Sequence, residues 1–234
     1  MSGASLVDAL SARMGYVSQT AAKITVAALQ DVGTLTATCS GGTVTITTAL
    51  TGLGTDHTSH PGVPVLYYAK IDITGLVADT AYTWSVSKNG NTVTGSFRTM
   101  PADNADFSFV MATCEACDIP APANGMTLLR RYIEAQTSPS VHFYAHIDDN
   151  IYPDLERAWG RPTNRSGDVT TGLRLTKPEG DPTGDPQETG LSGDYCINWA
   201  RYFGLLPDDH YTCHPDRLWV QRNVAFVSQW GDHE

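Results

Sequence analysis

A chain of 234 residues accommodates two domains of roughly 100–150 residues each, and its 41% apolar content is ordinary for a globular protein. The formal charge of −10, from 25 acidic against 15 basic residues, comes with no basic run that could track a phosphate backbone, so nucleic-acid binding through a basic face is disfavoured. No stretch approaches the ~18 apolar residues of a membrane-spanning helix, and Met1-Ser2-Gly3-Ala4-Ser5-Leu6-Val7-Asp8 has neither the basic nor the apolar region of a secretory signal. The surplus carboxylates form a solvated acidic surface or a capacity for divalent cations. The five cysteines, Cys39, Cys114, Cys117, Cys196 and Cys213, are odd in number and irregularly spaced, which argues against a full disulfide framework. A single Cys-x-x-Cys pair at Cys114 and Cys117 is weak grounds for structural zinc.

From residue 15 to residue 101 the sequence alternates apolar and polar positions in short runs broken by turn residues. Ile24, Val26 and Ala28 make one run, Leu35, Ala37 and Cys39 a second, and Val44, Ile46 and Thr48 a third after the Gly41-Gly42 turn. A loop is expected over 51–64 and another strand over 65–73. Tyr82, Trp84 and Val86 then share one face, the Asn89-Gly90 pair marks a hairpin turn, and Val93, Gly95, Phe97 and Thr99 follow. Period two at this spacing predicts antiparallel strands in a β sandwich. The run Leu76-x-x-x-Thr80-x-Tyr82 resembles the corner of a fibronectin type III or immunoglobulin-like domain, where the tyrosine hydroxyl bonds back to upstream backbone. On this reading Tyr82 and Trp84 are core; exposed, they would instead offer a carbohydrate platform.

A short connector at 100–106 marks the domain boundary, dividing the chain into a sandwich at 1–101 and a second domain at 106–234. The second domain opens with an apolar run at 107–112. Met126, Leu129 and Ile133 follow at helical spacing within 125–136, and a second apolar run occupies 141–145. Strand, helix, strand implies parallel strands with a right-handed crossover. Residues 160–193 are rich in Gly, Pro and Asp and predict a long surface loop. An aromatic stripe, Tyr195, Trp199, Tyr202, Phe203 and Leu206, then predicts a packed helix, and a last apolar run covers 224–228.

Each of these three runs leads straight into a polar cluster: Thr113-Cys114-Glu115, then His146-Ile147-Asp148-Asp149-Asn150-Ile151-Tyr152, then Trp230-Gly231-Asp232-His233-Glu234. Open α/β sheets build their sites at such strand ends. A thiolate, carboxylates and a phenolate form an anionic donor set suited to ferric iron, with calcium or magnesium at a neighbouring all-oxygen site. Cys114, Asp149, Tyr152 and Asp232 are the candidate metal ligands, Asp148 an additional cation ligand, and His233 the candidate proton donor toward a substrate oxygen. Singly, Asp148 or Asp149 reads as a helix cap.

The order of sandwich, strand ending in cysteine, His-Ile-Asp-Asp-Asn-Ile-Tyr, aromatic helix and Trp-Gly-Asp-His-Glu resembles the PhoD-like alkaline phosphatases, metallophosphoesterases related to purple acid phosphatases. The resemblance spans roughly residues 14–234 and places Cys114, Asp149, Tyr152 and Asp232 on metal-ligand positions and His233 on the catalytic histidine. It implies hydrolysis of phosphate mono- and diesters, with iron (ferric) and calcium as cofactors, other divalent cations as substitutes, and an extracytoplasmic location. Asp148 stands where the family has glycine, and Gly231 where it has the first aspartate of Asp-Asp-His-Glu. Family members continue into a second half of the fold with further metal ligands, so an incomplete α/β domain, not competent alone, is expected. The alternative expectation is a structural or docking protein, a virion decoration, neck or tail component that contacts other chains through its sandwich.

Overall fold

The computed structural model describes residues 10–29, 34–53, 66–112, 125–136, 141–147, 205 and 215–229. The described residues are mostly β-sheet. Seven strands come first: β1 (Leu10–Val17), β2 (Ala21–Ala28), β3 (Thr36–Cys39), β4 (Thr43–Leu53), β5 (Leu66–Thr74), β6 (Ala81–Lys88) and β7 (Asn91–Arg98). They form an antiparallel sheet of order β1-β2-β5-β4 and another of order β3-β6-β7. Met14, Ile24, Val26, Ile71 and Ile73 from the first meet Tyr82, Trp84, Val86 and Phe97 from the second in one buried cluster. Burial of that apolar area is the main source of stability here, at roughly 25 cal/mol per Å².

The alternation expected along β6 is observed. Tyr82, Trp84 and Val86 are 7%, 2% and 0% exposed, while Thr83 is exposed and Ser85 and Ser87 are half-buried on the other face. Burial of Trp84 removes the carbohydrate platform. The Tyr82 hydroxyl accepts the Val77 backbone N–H at 2.8 Å, as the corner motif requires, and its ring stacks on Phe97 with centroids 5.5 Å apart. Asn89 and Gly90 both take positive φ, 50° and 80°, the geometry of the tight hairpin turn that such a pair favours. Two expectations shift. Strand β4 runs on through residues 51–53, paired with β5, where a loop was expected from the Thr and Gly content. Strand β1 begins at Leu10, five residues before the expected pattern, and is irregular between Met14 and Val17.

The remaining elements are β8 (Phe109–Ala112), α1 (Gly125–Ala135), β9 (Phe143–Ile147), α2 (Pro215–Asn223) and β10 (Ala225–Gln229). Strands β8 and β10 both pair in parallel with β9, giving the order β10-β9-β8. One face of this sheet packs Tyr144 and Phe226 against Met126, Leu129 and Ile133 of α1 and Val220 of α2. The helices are joined by polar contacts. Thr127 Oγ1 donates to Asp216 Oδ2 at 2.6 Å and Arg130 Nη1 to Asp216 Oδ1 at 2.8 Å, while the Arg130 guanidinium lies 5.2 Å from the centre of the Trp219 ring. Glu134 and then Asp216, both hydrogen-bonded to Arg130, hold its guanidinium firmly in the charged form.

The opposite face is divided. Near the strand starts, Ala225 is buried in the core of the antiparallel sheets and Phe143 packs against it. Further along, Met111 and Val227 are 59% and 47% exposed. Three contacts tie β6 and β7 to α2 and β1 to β10. The Trp84 indole N–H donates to the Arg222 carbonyl at 3.2 Å, Ser96 Oγ donates to Asn223 Oδ1 at 2.9 Å, and Arg13 lies over the Phe226 ring at 5.7 Å. No helix among the described residues is long and apolar enough to cross a membrane.

Candidate functional site

The three apolar runs singled out in the sequence are three adjacent parallel strands. Phe109 pairs with Phe143 and Ala112 with His146; Ala225 pairs with Phe143 and Gln229 with Ile147. With neighbouring strands about 4.8 Å apart, this register brings the C-terminal ends of β8, β9 and β10 to one edge, within about 10 Å of each other. Alternation explains the arrangement. Val110, Ala112, Tyr144, His146 and Phe226 point toward the helices, and Phe109, Met111, Phe143, Ala145 and Val227 away from them.

The candidate residues follow immediately. Cys114 is two positions beyond the end of β8; Asp148, Asp149 and Tyr152 are one, two and five beyond β9; Asp232 and His233 are three and four beyond β10. All six lie outside the described residues, as do residues 160–193 and all five residues of the aromatic stripe. The sheet therefore brings together the strand ends that lead to them, and at ~3.5 Å per extended residue Cys114 and the aspartates lie one to three residues, at most ~10 Å of chain reach, from their strands.

His146, the next-to-last residue of β9, is fully buried on the helix face. Its ring centroid lies 6.0 Å from that of Tyr144. Among the described residues no group of three or more His, Cys, Asp or Glu could hold a metal ion. Cys39 is a free thiol in β3, its ionisation pushed up by partial burial, and it lies on the antiparallel sheets rather than at this edge.

No family model matches the sequence, and no curated protein matches it. Two solved structures do resemble the fold. A structure of PhoD aligns with 95% of this chain at a TM-score of 0.53 and 13% identity. A purple acid phosphatase isolated from yellow lupin (Lupinus luteus) seeds aligns with 97% at a TM-score of 0.54 and 13% identity. The fold of this chain is similar to that of PhoD and of this purple acid phosphatase. The chain spans 38% of the length of the PhoD chain and 36% of the lupin chain. At this identity the likeness is one of fold.

The sequence reading missed α2, although it carries a start signal. Pro215 occupies its first position and Asp216 its first turn, where a missing N–H is harmless and a negative charge favourable. Also missed was the imidazole of His142, which sits where β8, β9 and the turn before β6 meet.

Proposed function

We propose that this chain belongs to a metal-dependent hydrolase of phosphate mono- or diesters of the PhoD-like type. An immunoglobulin-like or fibronectin-like sandwich at 1–101 precedes α/β elements at 106–234. The observation that carries this reading is the parallel register of β8, β9 and β10, which brings to one edge of the sheet the three strand ends that the three polar clusters follow in sequence, in a chain whose fold is similar to PhoD and to a purple acid phosphatase. The donor set fits a metal: one thiolate, one phenolate and the carboxylates Asp149 and Asp232 would hold ferric iron, with Asp148 toward a second cation such as calcium.

Bound ions would supply Lewis-acid polarisation of the phosphoryl oxygens and a water of lowered pKa. His233, one residue beyond Asp232, would donate a proton to the leaving-group oxygen. Adjacent Asp148 and Asp149 repel one another and Asp232 unless neutralised, so cations that bind the folded form raise its stability. Ligands from the remaining length of such a fold would complete the cage.

The test is a chromogenic phosphodiester assay of the protein extended through the rest of the fold, purified free of host phosphatases. The same preparation is melted with and without calcium and ferric iron. Chelator-sensitive turnover that is lost in Asp149→Ala, with a melting temperature raised by metal, supports the proposal. Absence of turnover and of any thermal shift with every metal tried ends it.

One observation favours the second reading, a docking or virion component. Phe107, Phe109 and Phe143 form a three-ring cluster, every pair stacked with centroids 4.9 to 6.1 Å apart, and Phe107, Phe109 and Met111 are all at least half exposed. Large exposed apolar patches mark contact surfaces. An inert extended protein that co-purifies with a particle would favour this reading.

A further inference from the structure

His142 directly precedes β9 and is 7% exposed. Its backbone N–H donates to the Ser108 carbonyl at 2.8 Å. Its Nδ1 accepts the Ser108 backbone N–H at 3.2 Å, so the side chain takes the place of a carbonyl at the start of the β8–β9 ladder. Its Nε2 faces Asp79 Oδ1 at 3.6 Å, and that carboxylate also receives Arg98 Nε at 2.7 Å. Among the described residues these are the charged groups that face the ring: Asp79 from the turn before β6 and, beyond it, Arg98 from the end of β7. Asp79 holds φ at 52°, so its backbone is fixed in a conformation that only a few residue types adopt readily.

An imidazole that accepts at Nδ1 must carry its proton on Nε2 when neutral. Here that proton points toward the Asp79 carboxylate. A second proton can go only to Nδ1, where it would face the Ser108 N–H, donor against donor. Protonation therefore breaks the Ser108 bond and strengthens the attraction to Asp79.

We propose that His142 is a proton-operated latch: neutral, its ring adds a second bond to the one that fastens the start of β8 to β9; protonated, it releases the Ser108 N–H, while the Ser108 carbonyl keeps the His142 N–H, and turns its charge to Asp79. The balance is simple, with one proton taken from solvent, one hydrogen bond lost and one ion pair gained. Ser108 starts the segment that leads through β8 to Cys114, and His142 starts the one that leads through β9 to Asp149. The latch thus acts at the opposite end of the sheet from the candidate site, and it holds whether or not that site binds metal.

The experiment is nuclear magnetic resonance of the full 15N-labelled chain between about pH 8 and pH 5, the interval in which imidazoles change charge. Ring nitrogen shifts of the Nε2–H tautomer are expected at the upper limit. As the ring protonates, the Ser108 amide proton should move upfield with the same midpoint, as its hydrogen bond is lost. In His142→Asn, whose Oδ1 reaches the same position as Nδ1 and cannot be protonated, the Ser108 amide should stay fixed throughout. Asp79→Asn should move the wild-type midpoint to lower pH. An Nδ1–H tautomer at pH 8, a ring that does not titrate in the interval, or a ring that titrates while the Ser108 amide stays still would each overturn the latch. The wild-type titration decides the matter even if a variant does not fold.

Discussion

The hydroxyl of Tyr82 accepts the backbone N–H of Val77 at 2.8 Å, closing the turn that leads into β6 from its own strand. Tyr82→Phe keeps the ring on Phe97 and removes only this bond. Urea unfolding should show a loss of about 1 kcal/mol with an unchanged denaturant slope. An unaltered midpoint would mean that water replaces the hydroxyl without loss.

Gly95 lies where β7 passes closest to α2. A Cβ built there would strike the Arg222 carbonyl and come within 2.6 Å of the Trp84 ring. Gly95→Ala must push α2 away from β7 and should destabilise by about 1–3 kcal/mol, with Trp84 fluorescence altered in the folded state. Preserved stability and fluorescence would show that the two elements separate freely.

Arg98 beside Asp79, and after it His142, hold the Asp79 carboxyl below the usual carboxylate range. A carboxyl with a lowered folded value adds stability above its unfolded value of about 3.9, and that stability is lost as pH falls through the folded value. Asp79→Asn, which tolerates the same positive φ, should therefore be less stable than wild type at pH 7. The gap should begin to narrow below about pH 4 and go on narrowing as pH falls through the folded value. Denaturation midpoints of both proteins at pH 7 and at pH 3 check this.

Asp216 receives Thr127 and Arg130 at 2.6 and 2.8 Å and occupies the first turn of α2. Asp216→Ala removes both links between the helices and the favourable charge at the helix start. A loss of about 1–2 kcal/mol, smaller at high salt because Arg130 is a third exposed, is expected from unfolding curves.

If His233 serves as proton donor, His233→Ala in the extended protein should lower turnover by about 10²–10⁴-fold while leaving metal-induced thermal stabilisation intact. The loss should be smaller for an ester whose leaving group needs no proton. Equal losses for good and poor leaving groups would remove His233 from that role.

Legibility in the sequence followed the regularity of burial. Strand β6 was readable because Tyr82, Trp84 and Val86 alternate without interruption, and α1 because Met126, Leu129 and Ile133 form a clean stripe. The same reasoning could not find α2, since the residues it buries include Arg217 and Gln221 one turn apart, and polar side chains on the inner face erase the periodic signal. Strand β1 was obscured because Ser11 is buried as fully as its neighbour Ala12 and the register shifts between Met14 and Val17, so burial does not alternate cleanly along it. The strand ends that carry the candidate site were readable because a short apolar run precedes each polar cluster. Where the candidate side chains point was not readable, because loops beyond strand ends carry no periodicity.

The bond from Trp84 to Arg222 also bears on the order in which the chain is made. A helix leaves its last carbonyls without partners in its own backbone, and Arg222 finds one on a strand synthesised more than a hundred residues earlier. At about 5–20 residues per second, the β6–β7 hairpin leaves the ribosome several seconds or more before α2 begins. The indole is then already in place as a docking point when the helix emerges. A circular permutant that starts after residue 101, and so delivers α2 first, would have to finish that helix against water and should fold more slowly than the native order.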